Sequence, residues 1–132
     1  MPSRREQLLR ESLAAYNAEG SEALVRLMTE DAVWAEDPEW PDGATWHGRE
    51  GVRQVLAERL ETATISVEVE GIEERGDRML VLQRWRIQGS GSGIEADTHV
   101  AVINRWNGER IERVDFFLEQ DRARAAFDDV RP

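Results

Sequence analysis

Arg84, Arg86, Asp97, His99 and Asp115 are among the ionisable residues of the stretch from Met79 to Leu118, in segments rich in Val, Ile, Leu, Phe and Trp. Strands of that composition are normally buried, so charges at alternate positions along them either line a polar cavity or face solvent. In a cavity, an imidazole beside a carboxylate is a general base, and a guanidinium can stabilise a developing enolate or alkoxide. On a wet face the same residues form cross-strand ion pairs, Arg86 with Asp97 and Arg84 with Asp115, and His99 is a satisfied sheet residue. A second carboxylate pair, Glu36 and Asp37, stands just before Pro38. Trp34 and Glu36 alternate with Val33 and Ala35, which puts an aromatic and a carboxylate on one face, while the sequence leaves open whether Glu36 or Asp37 turns inward. His47 sits in a loop with Trp40 and Trp46, which either pack onto the following helix or cover a cavity mouth.

Other chemistries are excluded or disfavoured. All 17 basic residues are Arg and there is no Cys, so a Schiff-base lysine, a thiol nucleophile, a thiolate metal site and a disulfide are impossible. Two His far apart in sequence argue against a metal site, and the expected chemistry uses no cofactor. The Gly89–Gly93 run precedes a strand rather than a helix, so it is a hairpin loop and not a phosphate cradle. A Gly-x-Ser-x-Gly elbow is missing. A net charge of -10 argues against nucleic acid and anionic membranes as partners. With no apolar run of signal-peptide or membrane-span length, the expected location is cytoplasmic.

The elements that must position these groups are readable in order along a single domain, residues 1–132. Ser3 and Glu6 have capping-box spacing, and Leu8, Leu9, Leu13 and Tyr16 recur at helical intervals, which predicts a helix from about Arg4 to Glu19 ended by Gly20. Ser21 can cap a short second helix. Asp37 to Gly48 is loop chemistry. Arg49 to Glu61 carries Val52, Val55, Leu56 and Leu60 on one stripe, with Arg59 assigned to the polar one. Ile65 to Glu74 alternates as a strand, and three more strands follow up to Leu118, the last two joined at Asn107-Gly108. A closing helix spans about Glu119 to Phe127. The continuous apolar runs Met79–Leu82 and Val100–Ile103 call for cover on both faces. With few helices to provide it, a homodimer across the outer sheet face at Trp85 and Ile87 is expected. Helices followed by a meander define an α+β fold.

Several segments carry a family resemblance. D-A-V-W-A-E-D-P, W-H-G-R-E-G-V-R, G-D-R-M-L-V-L and N-G-E-R-I-E-R-V-D-F-F, in this order and covering roughly Gln7 to Phe127, resemble the SnoaL-like branch of the NTF2-like superfamily. The resemblance implies a cone: a curved, mostly antiparallel sheet with the N-terminal helices packed on its concave face. It also implies a cofactor-free enzyme for acid–base isomerisation, cyclisation, dehydration or hydrolysis of a hydrophobic polyketide-, terpenoid- or steroid-like ligand, with a non-catalytic binding or assembly module as the rival. E-R-V-D-F-F resembles the last strand of the epoxide hydrolases of this superfamily, which implies Asp115 and Arg84 as water-activating residues. Arg86 replaces their second Asp, and Trp34 and Glu36 replace their Tyr and Asn. E-D-P resembles the base-bearing segment of the ketosteroid isomerases, which implies Asp37 as base, with Ser12 in place of their oxyanion-hole Tyr. The epoxide-hydrolase alignment places Arg84, Arg86, Asp97, His99, Asp115 and Phe117 inward, His99 as base against Asp115 or Asp97, and Gln83, Trp85 and Ile87 outward. Trp34, Arg86, Trp46, Phe117 and Tyr16 are then the expected ligand contacts.

Overall fold

The computed structural model describes residues 1–40, 43–89, 91, 93 and 95–129, so part of the 37–48 loop and of the Gly-Ser hairpin loop lies outside the described residues. Helix α1 runs Arg4–Glu19. Its start is fixed by Ser3, whose Oγ accepts the Glu6 N–H at 3.1 Å, and its end by Gly20, which at φ 110° donates its N–H to Tyr16 O. Helix α2, Glu22–Leu27, forms without a side-chain cap from Ser21. It leads into β1, Met28–Ala35, and β2, Thr45–His47, before α3, Gly48–Leu60. The meander is β3, Ala63–Arg75, β4, Arg78–Gly89, β5, Glu95–Asn107, and β6, Arg110–Phe117; α4, Gln120–Asp128, closes the chain.

The six strands form one curved sheet in the order β2-β1-β6-β5-β4-β3. All neighbours are antiparallel except β1 and β6. The fold is thus α+β and mostly antiparallel. Gly108, at φ 62°, makes the tight β5–β6 hairpin announced by Asn-Gly.

Strand parity divides the core in two. On the cone side Met79, Val81, Val102, Trp106, Ile111 and Val114 pack under Leu9 and Leu13 of α1, Leu24 and Leu27 of α2, and Val52, Val55 and Leu56 of α3. On the outer side Leu80, Ala101 and Ile103 pack against Ala123 and Phe127 of α4, flanked by Leu82 and Phe117. Arg78 secures α4 by donating to its terminal carbonyls, those of Ala126 and Phe127, both at 3.2 Å. Gln120 Nε2 donates to Val100 O at 3.0 Å.

The outer cover of the two apolar runs comes from α4 of the same chain, and Trp85, assigned above to the outer face, points into the cone.

Candidate functional site

Helices α1, α2 and α3 and the concave sheet face enclose a cavity of about 90 Å³. One wall is aromatic: Trp34 and Phe116 lie 4.7 Å apart, Phe116 and Trp85 5.8 Å, and Trp85 and Trp40 5.7 Å, centroid to centroid. Leu13, Leu56, Met28 and Ile111 supply much of the rest. Five polar side chains interrupt this lining, Tyr16, Glu36, Arg59, Gln83 and Asn104.

Glu36 extends the inward face of β1 beyond Trp34, and its side chain is 4% exposed. The last turn of α3 brings Arg59 onto it, with Nε donating to Oε2 at 2.8 Å and Nη2 donating to Oε1. This bidentate pair engages both carboxylate oxygens. The Arg59 guanidinium also lies 5.4 Å from the centroid of the Trp40 ring. Trp40 therefore touches both the ion pair and the aromatic wall.

Tyr16 is spoken for by structure. Its hydroxyl donates to Ile65 O at 2.7 Å, and burial pushes its pKa above the ordinary 10.0. Gln83 Oε1 accepts the Trp85 indole N–H at 2.8 Å. Asn104, 3% exposed, has no side-chain hydrogen-bond partner among the described residues.

Asp37, one residue after Glu36, is turned away from the cavity. Its Oδ1 accepts the Glu39 N–H at 3.0 Å, and Oδ2 accepts the Leu118 N–H at 2.8 Å and a donor from Arg122. Burial acts to raise this carboxyl, but the two backbone N–H groups and Arg122 outweigh it and hold it below the ordinary 3.8. Asp37 thereby ties the 37–44 loop to the end of β6 and to α4. The cavity base implied at Asp37 by the isomerase resemblance is not supported by this placement.

The charged constellation of β4, β5 and β6 lies on the opposite face, a correction to the inward placement. Arg84 pairs in register with His99, Arg86 with Asp97, and Ile103 with Asp115, all on the outer side with Leu80 and Ala101. Arg84 Nε donates to Asp97 Oδ1 at 2.8 Å, His99 Nδ1 lies 2.8 Å from Glu70 Oε1, and Arg113 Nε donates to Asp115 Oδ2 at 2.9 Å. The His99 side chain is 57% exposed. Arg86 is exposed, and Phe117 belongs to the α4-covered cluster. The physical reason is that side-chain period is two, so a one-residue error in face inverts a whole strand. Charges turned into this apolar cone would be desolvated, whereas on the outer face they pair in water.

Of the expected ligand contacts, Trp34 and Tyr16 line the cavity. Trp46 lies across from Trp34 on β2, packed over Gly51 of α3 rather than on the wall, and His47 is exposed at the start of α3. Sequence reasoning missed Arg59, Gln83 and Asn104. Arg59 was legible, since it flanks the Val52, Val55, Leu56 and Leu60 stripe, and Asn104 follows directly on the buried run Val100–Ile103.

The comparisons agree with this architecture. The SnoaL-like domain model matches residues 9–114, and the chain belongs to that family. An NTF2-like protein of unknown function from Burkholderia pseudomallei is 19% identical, with 92% of this chain and 95% of that one covered at a TM-score of 0.78. TerC, co-crystallised with polyporic acid, is 17% identical, with 93% and 97% covered at 0.78. A Catenulispora acidiphila protein of ketosteroid isomerase-like fold, in complex with trimethylamine, is 20% identical, with 84% of each chain covered at 0.74. No curated protein aligns significantly with the chain. Among the described residues no three of His, Asp and Glu come together as a metal-binding group, and no helix is long and apolar enough to cross a membrane.

Proposed function

We propose that the cone binds an apolar, fused-ring-sized ketone and that Glu36 moves a proton at the carbon next to its carbonyl, the step common to isomerisation, cyclisation and dehydration. The observation that carries this reading is a nearly fully buried carboxylate in a largely apolar cavity, with a guanidinium in bidentate contact. In this reading an entering ketone displaces Trp40 and draws Arg59 toward its carbonyl oxygen. That exchange frees a Glu36 oxygen. The carboxylate takes the α-proton, the C–H electron pair forms the new C=C bond while the C=O π pair moves onto oxygen to give an enolate beside Arg59, and the proton then returns to carbon as the carbonyl re-forms. Displacement of Trp40 would make room, because ligand sites usually hold about 300–1,000 Å³ and the cavity here measures about 90 Å³.

The test uses 2-tetralone in D₂O, with α-deuterium incorporation followed by NMR. Glu36→Gln should bind the ketone and lose exchange by about 10²–10⁴-fold. A second reading, binding without chemistry, is favoured by the engagement of both Glu36 oxygens with Arg59. Binding by the wild type with exchange no faster than in Glu36→Gln would establish that reading instead.

A further inference from the structure

Asn104 is anomalous among the polar groups of the cavity. Tyr16, Glu36 and the Gln83 oxygen have protein partners. The Asn104 carboxamide, 3% exposed, has none among the described residues. Its neighbours across the sheet are Met79 on β4 and Val114 on β6, both buried and apolar. Its carboxamide lines the free space of the cavity, so its hydrogen-bonding capacity is directed at whatever fills that space. Such a group is explained by a ligand that completes it.

The register says where that ligand atom would lie. Glu36 continues β1 one residue past Ala35, which pairs with Asp115, while Asn104 pairs with Val114. Asn104 is therefore one two-residue step deeper than Glu36, about 7 Å, and two strands across, about 10 Å, before the curvature of the sheet brings the side chains nearer. A molecule with its reactive ketone at Glu36 reaches Asn104 with its far end. The carboxamide offers both a donor and an acceptor and no charge, which fits a neutral hydroxyl. An ionised far end would be buried without a counter-charge.

We propose that Asn104 is a specificity-determining residue that hydrogen-bonds a neutral hydroxyl at the distal end of a fused-ring ketone bound in the cone. This rests on the ketone-binding reading above, and the probes separate the two. Equilibrium dialysis compares 6-hydroxy-2-tetralone with 2-tetralone on the full chain, wild type and Asn104→Leu. Wild type should bind the hydroxylated ketone about ten-fold more tightly, one net hydrogen bond, and Asn104→Leu should bring the ratio near one. If the leucine variant does not fold, Asn104→Ala should show the same collapse of the ratio. Both ketones binding with a ratio that the substitutions leave untouched would overturn the role of Asn104 and leave the ketone site standing. Neither ketone binding to wild type would overturn both.

Discussion

Asp37 joins the site loop to the rest of the molecule, and Asp37→Asn measures how much that join contributes. The amide keeps one acceptor oxygen where the carboxylate has two. Glu39 N–H and Leu118 N–H occupy different oxygens, so one of them must then face an NH₂ group. Losing one charge-assisted hydrogen bond and leaving one donor opposed costs about 2–3 kcal/mol. The Arg122 contact adds little because that side chain is 38% exposed and screened. With an unfolding entropy of about 2.1 cal/mol/K per residue, a chain of 132 residues loses about 3.6 °C of Tm per kcal/mol. Thermal melts at pH 7 should therefore fall by about 7–11 °C. The folded-state pKa of Asp37 is depressed, so its stabilisation is fully present above the ordinary 3.8 and is lost as pH falls through the lower folded value. Wild type and variant should converge in that acidic window. A loss under about 2 °C at pH 7, or a gap that widens on acidification, would refute the account.

Phe127 is fully buried under β4 and β5, and Phe127→Ala should cost about 3–5 kcal/mol, or about 11–18 °C of Tm; a loss under about 5 °C would show that α4 does not cover the outer face. His99→Gln should leave 2-tetralone exchange unchanged, because the imidazole meets Glu70 on the outer face; a hundred-fold loss would return His99 to the chemistry. Trp40→Ala should speed ketone association in stopped-flow fluorescence, since the ring lies between Arg59 and Trp85 in the cavity lining. An unchanged rate would remove Trp40 as a cover.

The boundaries of α1 and α3 were legible because they rest on local chemistry, whereas β2, Thr45–His47, lies inside the stretch read as a loop. Ser3 and Gly20 delimit α1 to the residue, and the spacing of Val52, Val55 and Leu56 placed α3 within one residue of its ends. Faces were not legible, for a physical reason: on β4 both parities are apolar, Met79 and Val81 on one and Leu80 and Leu82 on the other. Only α4, packing Phe127 and Ala123 on Leu80, tells them apart, and that contact joins segments over forty residues distant. The Arg84–Asp97 pair shows the same limit. Its sequence pattern suits an outer ion pair or a cavity dyad equally well, and long-range packing decides.

Glu36 and Asp37 illustrate how much one residue of parity decides. Consecutive residues in extended chain face opposite sides, so within E-D-P one carboxylate can line the cone and the other must turn to the outer packing. Trp34 sets the phase. It lies inward against Phe116, and two residues on Glu36 is inward as well, which sends Asp37 toward Leu118 and α4. The β1–β6 register shifts between Met28 and Val33, upstream of this segment. A motif matched at E-D-P alone assigns the base to Asp37; the phase of the strand assigns the cavity carboxylate to Glu36. The three contacts of Asp37 then acquire a purpose that the motif does not suggest. They hold in place the backbone that aims Glu36 at Arg59, so the structural carboxylate and the site carboxylate are adjacent in sequence because one positions the other.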